Sequence, residues 1–310
     1  MLSRRLIRIK AIQSLYSHFS KGENNLPRSE KEYRHNLLKC YELYLMLFEL
    51  IVDVADYAEQ RIEIGMAKLR PTEQEKNPNT RFIRNRVVEQ LRTSDSLTIA
   101  AKGLKWGENK QLVKELYKQL IDSAHYKAYM AAPGDSFEAD KKLVINFYKT
   151  QIEDNELLEL QLEDLSIFWN DDTNFALGHV ISTLASLREG EDLEIMPMYK
   201  NEEDEEYADE LYRRALVNAK EYFGYIEKFA NNWDFERIAL MDKVIIESAI
   251  AELITFPSIP VKVTLDEFIE ISKYYSTPNS STFINGIIDR AITELTAEGK
   301  IAKSGRGLIE

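Results

Sequence analysis

Four basic side chains near the N-terminus have types and spacing that suit phosphate binding. Arg4, Arg5, Arg8 and Lys10 all precede the first carboxylate of the chain, Glu23. The planar guanidinium group of arginine offers several N–H donors in a fixed fork, which matches the oxygens of phosphate and carboxylate groups. These side chains are therefore candidates for contacts with an anionic partner.

The same residues lie on an unusual side of the helix that must position them. At about 100° per residue, the three arginines share a face with the apolar residues that follow, which are Ala11, Ile12, Leu15, Tyr16 and Phe19. Charged residues ordinarily lie opposite the buried stripe of a helix. We therefore expect the helix start to project past the core or to meet an anionic partner. A frayed, solvated N-terminus is the alternative.

The residue patterns that catalysis requires are missing from the sequence. The four histidines lie far apart, and none has a second His or a Cys at metal-ligand spacing (His18, His35, His125 and His179). No glycine-rich loop could cradle a phosphate group. Paired carboxylates fall on solvated helix faces, whereas catalytic acids need desolvated surroundings. We expect a non-enzymatic protein without a metal ion or a cofactor.

Charge is distributed unevenly along the 310 residues. The net charge of −12 argues against indiscriminate nucleic-acid binding, because attraction to phosphate supplies most non-specific affinity. However, residues 1–22 and 76–127 are net basic, residues 150–187 contain no Lys or Arg, and residues 189–210 are rich in acid. Such a chain can bind nucleic acid at one place and repel it elsewhere.

The sequence also indicates a cellular compartment. Its single cysteine, Cys40, cannot form an internal disulfide, which fits a reducing cytosol. No stretch reaches the roughly 18 apolar residues that span a bilayer. The N-terminus lacks the apolar core of a secretory signal, although its basic, acid-free composition is also typical of a transit peptide. We expect a cytoplasmic protein without a membrane partner, and a cleaved transit peptide is the alternative.

Helical periodicity runs through most of the chain, and no run shows the period-two alternation of a strand. The sequence Thr264-Leu265-Asp266-Glu267 has the pattern of a capping box and predicts a helix start there. An acidic linker at 189–203 and a tail rich in Gly and Ser are predicted to be mobile and frayed. The predicted helices cover about 3–20, 29–69, 80–92, 108–131, 135–168, 174–188, 204–219, 220–230, 234–255 and 264–275, and a last helix ends near 298.

Motifs near both ends of the chain resemble the NusB family of transcription antitermination factors. Near the N-terminus, the similar motif is Arg4-Arg5-x-x-Arg8 followed by Ala11-Ile12-Gln13-Ser14-Leu15-Tyr16-Ser17. Near the C-terminus, the similar motifs are Asp242-Lys243-x-Ile245-Ile246, Ala251-Glu252-Leu253, Ile259-Pro260-x-Lys262-Val263 and Phe283-Ile284-Asn285-Gly286-Ile287-Ile288-Asp289. The resemblance covers about residues 1–20 and 204–297, a little over a third of the chain.

The resemblance implies an all-α fold, a NusB-like pair of small helical subdomains enlarged by a helical insertion. The implied segments are 1–20 (first helix), 21–203 (insertion ending in the acidic linker), 204–233 (rest of the N-terminal subdomain), 234–300 (C-terminal subdomain) and 301–310 (frayed tail). We expect residues 1–20 to pack against helices from 204–230. Gly286 costs a helix about 1 kcal/mol relative to alanine, so we expect another backbone to pack closely against it.

The resemblance further implies a non-catalytic role in ribosomal RNA transcription. Family members pair with the small-subunit ribosomal protein that also acts as NusE, and the pair holds a short single-stranded boxA RNA in the transcription elongation complex. Applied to this chain, the resemblance assigns RNA binding to Arg4, Arg5, Arg8, Lys10, Tyr16, Lys262, Asn279 and Ser280, and binding of the NusE-type protein to Asp242. Core packing is the alternative role for Tyr16, and a favourable charge near a helix start is the alternative for Asp242.

The chain departs from the family pattern in ways that leave other functions open. Residues 21–203 have no counterpart in the short form of the family, Leu6 and Ile7 interrupt the arginine cluster, and Asn279 stands where an acid is common. One alternative is a helical protein-interaction scaffold that has lost RNA binding. Another is the RNA-binding module of an RNA methyltransferase system, although this sequence lacks the glycine-rich α/β cofactor domain of those enzymes. The alternative RNA site is the basic segment around Arg81, Arg84 and Arg86.

Overall fold

Helices form the regular structure of this protein. The computed structural model describes residues 1–104, 110–169, 171–230 and 235–308, and within those ranges it contains no strand. The all-α prediction is confirmed. The α-helices are α1 (Arg4–Lys21), α2 (Leu26–Met66), α3 (Glu73–Lys76), α4 (Arg86–Thr93), α5 (Asp95–Ala100), α6 (Lys110–Asp122), α7 (Ala124–Ala131), α8 (Phe137–Phe147), α9 (Glu156–Leu165), α10 (Thr173–Ser186), α11 (Glu202–Val217), α12 (Ala219–Phe229), α13 (Leu240–Thr255), α14 (Val261–Tyr275) and α15 (Ser280–Ala297).

Two helices predicted as continuous are divided by capped breaks. The predicted helix at 135–168 becomes α8, a π-helical turn (Tyr148–Ile152), α9 and a 3-10 turn (Ile167–Trp169). Asn155 starts α9 anew, because its side chain accepts from Leu158 N at 3.1 Å. Ser123 likewise separates α6 from α7 by accepting from Tyr126 N at 3.3 Å. The predicted start of that second helix, residue 108, lies outside the described residues.

Two local predictions in the last helices are wrong. α14 begins at Val261, directly after Pro260, so the proposed capping box at 264–267 lies inside the helix. The buried Thr264 hydroxyl is turned to α13 instead of to free amides. A Cβ on Gly286 would meet nothing within 4 Å, so no other backbone packs closely against this glycine.

The chain divides into two compact units, one of which contains both ends of the chain. This terminal unit comprises Leu2–Leu37 and Met198–Glu310. Its central helix is α13, which packs against α1, α11, α12, α14 and α15. α13 can be surrounded because consecutive residues such as Val244, Ile245 and Ile246 are all buried, so the helix is apolar around most of its circumference.

α1 packs against α11 as well as α13 in the terminal unit. The prediction that residues 1–20 pack against helices from 204–230 is therefore confirmed. The first residues of α2 belong to the same unit, where the Tyr33 hydroxyl donates to Ala208 O at 3.0 Å and the Tyr33 ring stacks on Tyr212 at 4.3 Å. The arginine-bearing α1 therefore packs on α11 and α13, and the start of α2 is attached to α11 as well.

The middle unit comprises Met1 and Leu38–Pro197. The rest of α2 runs through it and receives hydrogen bonds on its backbone carbonyls. Tyr148 OH donates to Leu47 O at 2.7 Å, and Trp169 Nε1 donates to Lys39 O at the same distance. α8 packs against α4, α7 and α10. The middle unit thus has its own buried core.

Residues 189–197 are held by α4 and the start of α5, so the predicted mobile linker is wrong for this stretch. Gln90 Nε2 donates to Glu191 O at 2.8 Å, and the Ser94 hydroxyl donates to Asp192 Oδ1 at 2.5 Å. This hydroxyl lowers the pKa of Asp192, because it stabilises the ionised carboxylate. The stretch is attached by these hydrogen bonds, although it is acidic, mostly exposed and forms no helix.

Residues 301–308 pack on the terminal unit, so the predicted frayed tail is also wrong for them. Ile301 and Gly307 are buried, Ser304 N donates to Pro257 O at 3.0 Å, and Lys303 Nζ donates to two carbonyls at the end of α13. A Cβ on Gly307 would lie 1.9 Å from Pro257 O, so this approach requires glycine. Residues 309 and 310 lie outside the described residues.

The limits predicted for the insertion, 21–203, stay a prediction. The predicted boundary between residues 233 and 234 falls outside the described residues. Across the described ranges, no helix combines the length and the apolar character needed to cross a membrane.

Candidate functional site

The candidate site begins at the first turn of α1. The Ser3 side chain caps this helix by accepting from Leu6 N at 3.2 Å, which satisfies one of the amides left free at a helix start. Leu2 is buried, and its N–H donates to Met198 O at 2.8 Å. The helix start is therefore held on the terminal unit and does not project into solvent. Of the two expectations for the arginines, an anionic partner remains.

That anionic partner lies within the chain for Arg4 and Arg5. Arg4 donates to Asp204 Oδ1 at 2.7 Å and to Glu203 Oε1 at 2.8 Å. Arg5 donates through Nε and Nη2 to both oxygens of Glu267 at 2.8 and 2.7 Å, a bidentate arrangement. The Arg5 guanidinium lowers the pKa of Glu267, and the Arg4 guanidinium lowers that of Glu203. Both carboxylates are thereby kept ionised.

Arg8 takes part in a buried network that joins four helices. Its Nε and Nη2 donate to Glu252 at 2.7 and 2.8 Å. Glu252 also accepts from Tyr207 OH and, at 2.8 Å, from Thr264 Oγ1. Burial by itself lowers the pKa of Arg8, but Tyr207 and Glu252 raise it by more, so this guanidinium stays charged. One carboxylate of α13 thus connects side chains from α1, α11 and α14.

The arginines open onto a groove of about 420 Å³, the arginine groove. Its lining residues are Arg4, Arg5, Arg8, Ser258, Ile259, Pro260, Val263, Glu267 and Arg306. Arg306 comes from the C-terminal tail, and its Nη2 lies 3.3 Å from Glu203 Oε2. Guanidinium groups next to apolar surface suit a ligand that carries both anionic groups and flat apolar rings.

The acidic half of this site was not anticipated from the sequence. Glu203, Glu252 and Glu267 all bind arginines of the groove. A signal existed for Glu252, which is a carboxylate between the apolar residues Ala251 and Leu253, because a buried charge is normally paired. Arg306 offered no such signal, since it lies in a tail whose composition is typical of a frayed terminus.

Two of the basic residues predicted to bind RNA are buried. Arg8 is 3% exposed and Lys10 is 1% exposed. A ligand outside the fold has little access to either side chain, and Arg8 is already engaged by Glu252. Their positions do not support the direct contacts that the resemblance implies.

Tyr16, in contrast, lies on the outer face of α1 with 38% of its surface exposed. α11 and α13 cover α1 on the face that carries the buried Ile7, Ala11 and Ser14, and Tyr16 lies away from that face. The alternative that Tyr16 packs in the core is wrong. Its ring is accessible for stacking on a base.

Asp242 and Ser280, predicted for different roles, contact each other. The Ser280 hydroxyl donates to Asp242 Oδ2 at 2.8 Å, and the Ser276 hydroxyl also donates to this carboxylate. Asp242 and Ser280 are both buried, which favours the structural role for Asp242 and leaves little of Ser280 for RNA. Lys262 and Asn279 are exposed, and Lys262 lies in the first turn of α14, between two groove-lining positions.

The alternative basic segment is partly engaged within the middle unit. Arg86 Nε donates to Asp140 Oδ2 at 2.9 Å, and the Arg81 guanidinium lies 4.4 Å from the centroid of the Tyr129 ring. Arg84 is exposed. In the part of the chain that the structure describes, no cluster of three or more His, Cys, Asp or Glu side chains could hold a metal ion.

The fold and the groove define the class of this molecule: an all-helical protein whose candidate site is an arginine-lined surface for an anionic ligand. The family model of the NusB family matches residues 182–293, which include α11–α14 and most of α15 but not α1. Together with the relatives described next, this match shows that the chain belongs to the NusB family.

Several bacterial proteins named transcription antitermination protein NusB are similar to this chain. The protein of Salinibacter ruber is 42% identical over 114 residues, which are 37% of this chain and 71% of the relative. That of Chloroherpeton thalassium is 42% identical over 95 residues, 31% of this chain and 45% of the relative. That of Koribacter versatilis is 39% identical over 99 residues, 32% of this chain and 68% of the relative. No solved structure is matched by the chain.

Proposed function

We propose that this protein is a non-catalytic transcription antitermination factor that binds single-stranded boxA-like RNA in the arginine groove. The observation that carries the proposal is the convergence of Arg4, Arg5 and Arg306 on one open groove. Membership of the NusB family and the names of the relatives support it. The factor would act in the cytoplasm on ribosomal RNA transcription, within the transcription elongation complex and together with a NusE-type ribosomal protein.

Within this proposal, RNA phosphates bind the exposed guanidinium groups of Arg5 and Arg306. Their present partners Glu267 and Glu203 are surface carboxylates, and exposed ion pairs contribute little to stability, so phosphate can displace them at small cost. Lys262 adds an exposed cation in the first turn of α14. The buried Arg8 positions α1 and does not contact RNA.

The NusE-type partner is proposed to bind the terminal unit near α13–α15. Asp242 would act there indirectly, because its carboxylate is buried and holds the start of α15 through Ser280. The exposed Asn279, directly before α15, remains available to a partner or to RNA. In this proposal the C-terminal motifs still form the surface for the NusE-type protein. Asp242 does not contact that protein but holds the start of α15 in place.

Removing the exposed arginines tests the RNA site. Replacing Arg5 and Arg306 with Ala is expected to weaken binding of a boxA-like oligoribonucleotide and to lower the slope of log affinity against log salt by about one unit per lost phosphate contact. The matched control is Arg34→Ala, because Arg34 is also exposed in the terminal unit and also forms a bidentate pair, with Asp209 at 3.0 and 2.9 Å. Circular dichroism checks that all variants keep their helices. Equal RNA affinity in the double variant and in the Arg34→Ala control would show that RNA does not bind in the arginine groove.

The structure also favours a second candidate, a protein-interaction scaffold that has lost RNA binding. The specific observation is that carboxylates of the chain already face the groove arginines. Glu203 forms ion pairs with both Arg4 and Arg306, and Glu267 forms an ion pair with Arg5. If these pairs are too stable to exchange, the oligoribonucleotide will bind no better than a random RNA strand of equal length at every salt concentration.

A further inference from the structure

The outer face of α9, in the middle unit, carries carboxylates without cations. Glu156, Glu159 and Glu163 lie three and four positions apart on this helix, and all three are exposed. No Lys or Arg occurs anywhere in residues 150–187. Within the described ranges, no cationic side chain forms an ion pair with these three glutamates at 4.0 Å or less. Glutamates at such spacings on a helix repel one another.

Apolar side chains are exposed beside these carboxylates. Leu160 is 62% exposed and lies between Glu159 and Glu163 in the sequence, and Ile167 is 73% exposed just after the helix. Leu160 and the three glutamates line a groove of about 560 Å³ together with Asp171 and Thr173, which we call the acidic groove. Its lining combines an apolar side chain with a row of anionic groups.

Thr173 adds a polar group that lacks a partner. This residue lines the acidic groove, is only 2% exposed, and its hydroxyl has no hydrogen-bond partner among the described residues. A buried hydroxyl without a hydrogen bond is costly. A polypeptide ligand would supply carbonyl and N–H groups that such a hydroxyl can bind.

We propose that the acidic groove binds a basic amphipathic helix of a partner protein. Glu156 and Glu163 are about 10 Å apart along α9 at 1.5 Å per residue, so one face of a helix with Lys or Arg at every turn can meet the whole row. Apolar residues between those cations would cover Leu160, which is the usual way in which an amphipathic helix docks into a groove.

Charge complementarity selects this occupant over others. RNA is repelled by the row of carboxylates. A second copy of the chain presents the same face without Lys or Arg, so two acidic grooves cannot form ion pairs with each other. α6 packs against α9 and carries the exposed Lys114 and Lys118, but neither forms an ion pair with a groove glutamate in the described ranges. The anionic row is therefore left for a partner.

A fluorescent synthetic helix of lysine and leucine, amphipathic by design, probes the groove on the full chain. We expect it to bind, and Glu159→Lys with Glu163→Lys to weaken binding by about tenfold or more, which corresponds to roughly 1.4 kcal/mol. Leu160→Ser is expected to weaken binding as well, because the apolar contact is lost. Carbodiimide crosslinking should join peptide lysines to glutamates of α9.

Matched variants separate this groove from general attraction to an acidic protein. Glu59→Lys reverses an exposed charge on α2, and Ile99→Ser removes an exposed apolar side chain on α5. Both should leave peptide affinity unchanged. A scrambled peptide of the same composition should bind more weakly. Equal binding of the scrambled peptide, or crosslinks concentrated at 202–206, would overturn the proposal. So would self-association of the chain that the charge reversals abolish, because the occupant would then be a second copy.

Discussion

Arg8 and Arg5 lie one helical turn apart and form the same bidentate ion pair in different surroundings. The pair between Arg8 and Glu252 is buried, whereas Arg5 is 55% exposed in its pair with Glu267. Removing one partner of a buried pair leaves an uncompensated charge in a medium that solvates it poorly. At the surface, water and salt replace the lost partner. The two arginines therefore differ in what they contribute, although the sequence presents them alike.

This difference predicts unequal losses of stability. Arg8→Ala should lower the free energy of unfolding by about 3–5 kcal/mol, since Glu252 is left buried and unpaired. Arg5→Ala, the matched control, should lower it by about 1 kcal/mol or less. Urea unfolding followed by circular dichroism measures both. Similar losses in the two variants would show that the network around Glu252 does not hold the terminal unit together.

Asp242 provides a second residue-scale prediction. Asp242→Ala should lower the free energy of unfolding by about 1–3 kcal/mol, because the Ser276 and Ser280 hydroxyls lose their shared acceptor. Affinity for the NusE-type protein, measured by calorimetry well below the melting temperature, should change little if the carboxylate acts only as support. Unchanged stability with a large loss of affinity would instead identify Asp242 as part of the partner surface.

At the scale of elements, the segment 301–308 behaves as part of the site. It brings Arg306 to the arginine groove, and its position depends on the close approach of Gly307 to Pro257 O. A helix or loop of ordinary composition could not pass so near a carbonyl, because a side chain would occupy that space. The position of Arg306 in the groove therefore depends on glycine at position 307, whereas the other arginines of the groove come from α1.

Gly307→Ala is expected to detach this tail. A Cβ only 1.9 Å from Pro257 O cannot be accommodated, so residues near 307 must move. Hydrogen exchange of the Ser304 amide, which donates to Pro257 O, should accelerate. RNA affinity should fall toward that of an Arg306→Ala variant. Gly224→Ala serves as a control, because the backbone of Gly224 is helical in α12 and a Cβ there would meet nothing within 4 Å. Unaltered exchange at Ser304 would contradict the packing of the tail.

At the scale of the whole molecule, buried and exposed carboxyl groups oppose each other in their response to pH. Burial raises the pKa of Glu247 well above its usual range, and burial followed by the charge of Asp56 raises that of Asp53 to about 6. Both groups favour the folded state when protonated, so their contribution is lost as pH rises. Glu203 and Glu267 have lowered pKa values, so their contribution is lost as pH falls through those values.

These opposite signs predict a maximum of stability on the acid side of neutrality. The free energy of unfolding should be greater at about pH 5 than at about pH 7.5, because Glu247 and Asp53 release their protons at a lower pH in the unfolded state than in the folded state. Each group can lower the free energy of unfolding by up to about 1.4 kcal/mol per pH unit. Urea unfolding at several pH values measures the curve. Glu247→Gln with Asp53→Asn should flatten its neutral limb. An unchanged slope in that double variant would rule out these two groups as the cause.

The sequence by itself determined those features that depend on neighbouring residues. The resemblance of motifs at both ends of the chain to one family predicted the packing of residues 1–20 against helices from 204–230. The helical period, the apolar character of α13 and the turn at Pro257–Pro260 are local, so the all-α fold could be predicted from the residues themselves. The spacing of Arg4, Arg5 and Arg8 likewise predicted that the helix start either projects past the core or meets an anionic partner. These inferences succeeded because side-chain periodicity is set by backbone geometry, which does not require knowledge of distant contacts.

Only the tertiary structure decided which charges are used and which are available. Arg8 and Glu252 are 244 positions apart, so their burial as a pair cannot be inferred from spacing along the chain. Tyr16 is accessible because α11 and α13 cover the face of α1 that carries Ile7, Ala11 and Ser14, and the sequence of α1 alone does not show which face distant helices will cover. Arg306 entered the groove through a contact at Gly307. In each case a distant segment of the chain decides whether a side chain is buried away from water or left accessible. That burial exists only once the chain is packed.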